Sequence, residues 1–98
     1  MKITMTRNEK ELTVALEGSL DTITSPELEE QLIPALEGVE KLIFELKDLE
    51  YMSSAGLRVL LTAMQTMDEQ GEMVVRNVCP TVMEVFEITG FAEALNIE

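Results

Sequence analysis

The 98-residue chain carries 19 Asp and Glu against 7 Lys and Arg, a net charge of −12, with no His, no Trp and one Cys. That length supports one domain and no separate catalytic domain, and the acidity opposes nucleic acid and anionic lipid, whose binding rests on phosphate neutralisation by Lys and Arg. The lone Cys79 rules out an internal disulfide, and without His a hydrolase triad or a zinc enzyme is close to excluded.

Apolar residues make up 46% of the chain, ordinary for a globular protein. No apolar run approaches the roughly 20 residues of a membrane span. The start, Met1-Lys2-Ile3-Thr4-Met5, meets Arg7 too early for a signal peptide, so a cytoplasmic protein without membrane insertion is expected.

Ile3 and Met5 alternate with Thr4 and Thr6, a half-buried strand. After the polar turn Arg7 to Lys10, Leu12, Val14 and Leu16 alternate in turn, so the two runs predict a hairpin ended by Gly18. Ser25-Pro26 signals a helix start, with Ser as cap, and Leu28, Leu32 and Leu36 follow at helical spacing. Pro34 predicts a kink, or an end near Leu32.

Leu42 to Leu46 is a nearly continuous apolar run, suited to a strand covered on both faces, and Lys47 to Ser53 read as a loop. From Ala55, Leu57, Leu60, Leu61, Met64 and Met67 predict an amphipathic helix ending by Gly71. Met73-Val74-Val75 is a further strand. Pro80 opens a helix closed by Gly90, and Phe91 to Leu95 form a last turn, with Ile97 at the sheet edge. The expected core includes Leu16, Leu42, Phe44, Leu57, Leu60, Leu61, Val74 and Phe86. Met64, Met67, Met73 and Met83 fill gaps rather than form a cofactor box. Cys79 reads as a packed or half-buried small residue. The β-β-α-β-α-β-α order implies a single α/β domain: a mixed sheet of four or five strands, its helices mainly on one face.

The least generic segment runs from Leu46 to Leu57, where Ser53-Ser54-Ala55-Gly56 stands between a strand region and a helix. One serine there serves as a cap for unpaired first-turn N–H groups. Two adjacent serines exceed what one cap requires, and an exposed helix start tolerates an anion. Gly56 costs helix stability, about 0.5–1 kcal/mol relative to Ala, and allows close approach by another chain.

With the hairpin, Gly18-Ser19-Leu20-Asp21 and the Pro80–Gly90 segment, this loop gives the whole chain, residues 1–98, a resemblance to the STAS domain of the anti-sigma factor antagonist family. In that family the loop reads Asp-Ser-Ser-Gly-Leu, and the serine after the Asp receives phosphate from a kinase that is also the anti-sigma factor. By position, Ser53 takes the Asp place, Ser54 the phosphoacceptor place and Ala55 that of the second serine. Asp21 matches the acidic residue beside the acceptor. Two departures stand out: Ser53 removes a negative charge and adds a hydroxyl, and Pro34 interrupts a helix that the family leaves unbroken.

The resemblance implies a binding module rather than an enzyme, with no cofactor or metal. It would capture an anti-sigma factor serine/threonine kinase, release a sigma factor, and be switched off by phosphorylation of Ser54 and reset by a serine phosphatase. The implied partner surface comprises Asp21, Tyr51, Met52, Ser53, Ser54, Ala55, Gly56 and Leu57. Tyr51 and Met52 are apolar anchors if exposed and loop support if buried. The alternative is a non-switching subunit of a transporter or stress-signalling assembly, docking through the same loop.

Overall fold

In a computed structural model, which describes residues 1–98, the alternating runs pair as expected. Strands β1 (Lys2–Asn8) and β2 (Glu11–Leu20) form an antiparallel hairpin with Ile3 opposite Leu16 and Met5 opposite Val14. Then follow α1 (Ser25–Ala35), β3 (Lys41–Met52), α2 (Ser54–Gln70), β4 (Glu72–Arg76), α3 (Pro80–Thr89) and the short turn α4 (Phe91–Ala94). The sheet order is β1-β2-β3-β4, with β3 parallel to both β2 and β4, and Ile97 adds one parallel bridge beside Val75.

Consecutive parallel strands joined by right-handed crossovers put their helices on the same side. The packing agrees. Leu12, Val14, Leu16, Leu42, Phe44 and Val75 from the strands share one cluster with Leu28, Leu32, Leu57, Leu60 and Phe86 from the helices. Each such side chain removed from water contributes about 1.5–3 kcal/mol. Ile43 and Val74 are also buried but lie outside this cluster, because alternation turns them to the sheet's other face. Val74, expected in the core, is buried to 1% exposure as expected, but it packs apart from the main cluster. Leu61 is only half-buried: the inward stripe of α2 is centred on Gly56, Leu57, Leu60, Ala63 and Met67, which leaves Leu61 on its flank.

Both central strands run further than their sequence suggests. β2 continues through Gly18, at φ 105, to Leu20, and its pairing with β3 shifts between Ala15 and Glu17 and again between Gly18 and Ser19. Each shift inserts an extra residue into β3, so Leu46, Leu49 and Met52 reach the core at intervals of three. Period three resembles no strand, which is why Lys47 to Met52 reads as a loop.

α1 does not stop at Leu32. Pro34 lies one residue from the helix end, where its missing N–H forfeits a single bond, and buried Leu28, Leu32 and Leu36 hold the segment down. Nor is Ser25 the cap. It is the first helical residue, buried, and both its N–H and its hydroxyl donate to the carbonyl of Asp21.

Candidate functional site

The carboxyl ends of β2 and β3 stay joined up to the start of α2. Leu20 pairs with Met52, and the N–H of Ser53 donates to the carbonyl of Leu20 at 2.8 Å. Ser53 then takes the extended conformation of an N-cap (φ −91, ψ 175). Its hydroxyl accepts from the N–H of Gly56 at 3.4 Å, and its carbonyl opens the helical ladder by accepting from Leu57 at 3.0 Å. Ser53 is therefore the capping serine. Ser54, the first residue of α2, is exposed, beside the unpaired N–H groups of a helix start.

Beneath these serines the packing is tight. Met52 is 1% exposed and Leu57 4%, and Gly56 is buried. They lie under the implied partner surface, not on it; Met52 supports the segment, while Tyr51, 46% exposed, stands out beside it. Ala55 is half-buried. The close approach that Gly56 permits is made by this chain's own Leu20 and Met52.

Asp21 follows Leu20 and so borders Ser53. Its carboxylate Oδ1 accepts from the N–H groups of Ile23 and Thr24, both at 2.9 Å, and from the Thr24 hydroxyl at 3.1 Å. The Thr24 hydroxyl in turn accepts from Asp21 N–H, and it also lies 2.9 Å from the carbonyl of Ser19 as a donor. The N–H donations of Thr24 and then Ile23 hold the Asp21 carboxyl below its ordinary 3.8. Asp21 thus organises the turn between β2 and α1. The Asp-x-x-Thr spacing signals such a turn in sequence.

Arg58 escapes a reading centred on the serines. It lies four residues after Ser54, hence on the same side of the helix, exposed. It joins none of the three ion pairs, Lys10–Glu40, Lys41–Glu72 and Arg76–Glu98. Cys79 is half-buried, its thiol donating to the carbonyl of Leu49 at 3.3 Å. No three Cys, Asp or Glu side chains come together as metal ligands, and no helix is long and apolar enough to cross a membrane. What the arrangement offers chemically is an accessible hydroxyl on a rigid helix start.

The same fold is found in SpoIIAA, an anti-sigma factor antagonist. TM-scores are 0.87 for its unphosphorylated form (21% identity, 99% of this chain and 88% of that one) and 0.78 for a phosphorylated form from Bacillus (20%, 99% and 91%). The anti-sigma-B factor antagonist of Bacillus subtilis is 30% identical over 98 residues, covering 99% of this chain and 90% of its own. BtrV of Bordetella bronchiseptica, provisionally named an anti-sigma factor antagonist, is 41% identical over 93 residues, covering 93% and 80%. The STAS domain model matches residues 2–98. Hairpin, bulged β3 and serine-capped α2 all fall within that match, and the chain belongs to the STAS domain family.

Proposed function

We propose that this protein is an anti-sigma factor antagonist whose binding is switched by phosphorylation of Ser54. The observation that carries the reading is the division of labour between the serines: Ser53 is engaged as the cap, and Ser54 stands exposed at the first helical position. The names of the relatives support the partner class, an anti-sigma factor. In this reading the partner is also the serine/threonine kinase, its capture frees a sigma factor, and a serine phosphatase resets the switch. The protein works by binding, without catalysis of its own, in the cytoplasm where sigma factors act.

Physical features of the site favour a phosphoryl group at Ser54. Unpaired N–H groups and the positive end of the α2 dipole attract an anion. Arg58, at i+4, supplies a counter-charge in the favourable order, acid first and base second. The test is incubation with candidate anti-sigma factor kinases and ATP, followed by mass spectrometry of the Met52–Arg58 segment. Phosphate on Ser54 is expected. An unmodified segment with every kinase that binds the protein would leave a docking module without a switch.

A further inference from the structure

A core that hides nearly all of the large aliphatic side chains leaves Ile23 84% exposed, the most exposed large apolar residue of the chain. An isolated surface isoleucine needs no explanation. This one differs in how it is held and in what it borders. Its own N–H donates to Asp21 Oδ1 at 2.9 Å, and the next residue, Thr24, is fixed by its N–H to the same oxygen and by its hydroxyl to the carbonyl of Ser19. Ile23 is therefore displayed from a turn whose backbone is pinned, so little ordering entropy would remain to be lost on binding. Two residues back along that turn, Asp21 adjoins Ser53, and Tyr51 opens the neighbouring strand end with nearly half its surface in water. Residues 28 apart in sequence thus put two exposed apolar side chains on the two segments that meet at the Ser53 cap.

We infer that Ile23 is a specificity residue of the partner-binding surface, an apolar anchor that Asp21 positions, and that it enters an apolar socket rimmed by basic residues on the anti-sigma factor. The inference rests on the proposed function. Its apolar part follows from the exposed side chains at this edge, and its basic rim from charge. Glu27 and Glu50, both exposed, lie on the elements that flank the turn and the serines, on a protein of net charge −12. Asp21 is then a positioning residue rather than the contact itself: its carboxylate oxygen is occupied by the backbone that presents Ile23.

Calorimetric titration against each candidate anti-sigma factor kinase, purified and free of ATP, separates the possibilities. Wild type should bind one of them. Ile23→Ala and Ile23→Gln should each weaken that binding at least tenfold, and Ile23→Leu, which keeps the apolar surface, should stay within threefold. Ile88→Ala is the control, removing a side chain 77% exposed on α3, and should stay within twofold. Asp21→Asn, which retains an oxygen to accept the two N–H groups, should bind better than Asp21→Ala. Wild-type binding undiminished in Ile23→Ala and Ile23→Gln would overturn the inference and leave the proposed function standing, as would an equal loss in Ile88→Ala. Wild type binding none of the candidates would overturn the proposed function and this inference with it.

Discussion

Gly56 stands against Leu20 with no room for a side chain: a Cβ on the glycine would lie 2.7 Å from Leu20 Cγ and 2.8 Å from Cδ2. Leu20 is fully buried at the end of β2, and Gly56 is in the first turn of α2. Through this contact the core sets where the serines of α2 stand relative to the Asp21 turn.

Gly56→Ala should therefore destabilise the fold despite Ala being the better helix former. Overpacking of this kind costs about 1–3 kcal/mol, more than the helix-propensity gain of about 1 kcal/mol. Leu20→Ala alone should cost about 2–5 kcal/mol. The double variant should cost less than the two singles together, since each deletion makes room for the other change. Denaturant unfolding of the four proteins measures the coupling. Strict additivity would mean that the two residues do not meet.

Much of the fold is legible because its central pattern is simple. Leu12-x-Val14-x-Leu16 and the Leu57–Leu60–Met67 stripe each have one period and one buried face. The failures fall where a period breaks. Bulges in β3 convert alternation into steps of three, so half of that strand reads as loop. Leu61 sits one helical position from the stripe, and only the packing angle of α2 decides its burial. At the site, the serine pair and Asp21 can be read from sequence, whereas the assignment of the cap to Ser53 depends on backbone dihedrals. The exposure of Ile23 depends on a turn pinned by hydrogen bonds from both sides. The helix register is checked by two substitutions. Leu60→Ala should cost about 2–5 kcal/mol, as fully buried leucines do. Leu61→Ala should cost distinctly less.

Asp21 gives the fold a dependence on acid. Its carboxyl is held below the ordinary 3.8 by N–H groups that bind the charged form more strongly than the neutral one, so the folded state binds this proton less readily than the unfolded chain. The stabilisation is complete above about pH 3.8 plus the width of a titration, and is lost as pH falls through the lower folded value. Asp21→Asn keeps an accepting oxygen but carries no charge. Its Tm deficit relative to wild type should be present at pH 6 and shrink as pH drops below 3.8. A deficit independent of pH would show that the charge is not what the turn uses.

The two serines should separate cleanly when each is changed to alanine. Ser53→Ala removes the cap that receives Gly56 N–H and should cost about 0.5–2 kcal/mol, yet leave Ser54 open to a kinase. Ser54→Ala should change stability by less than about half a kilocalorie, as exposed positions without a specific role do, and abolish the added phosphate. Unfolding curves and phosphate incorporation on the same two proteins decide it. Phosphate retained in Ser54→Ala and lost in Ser53→Ala would move the acceptor by one residue.

A phosphoryl group on Ser54 should block binding without refolding the domain, and Ser54→Asp is the simplest probe of that mechanism. A negative charge at the first helical position is favoured by the dipole, by about 0.3–1 kcal/mol, and Arg58 at i+4 adds a pair of about 0.2–0.5 kcal/mol. Neither gain disturbs the contacts beneath, since Ser54 is exposed and the buried Gly56, Leu57 and Met52 carry the packing. The partner would meet something different. A phosphoryl group brings about −1.5 to −2 charge at pH 7 and considerable bulk, and a partner surface closed over the small Ser54 hydroxyl would have to part and desolvate it, whatever basic groups rim the socket for Ile23. Ser54→Asp should accordingly melt within a few degrees of wild type, at or above its Tm, while binding the anti-sigma factor more weakly. Scanning calorimetry and titration calorimetry on the two proteins read the two effects apart. Equal affinity would favour constitutive docking over a switch, and a collapsed Tm would replace local blocking with a conformational mechanism.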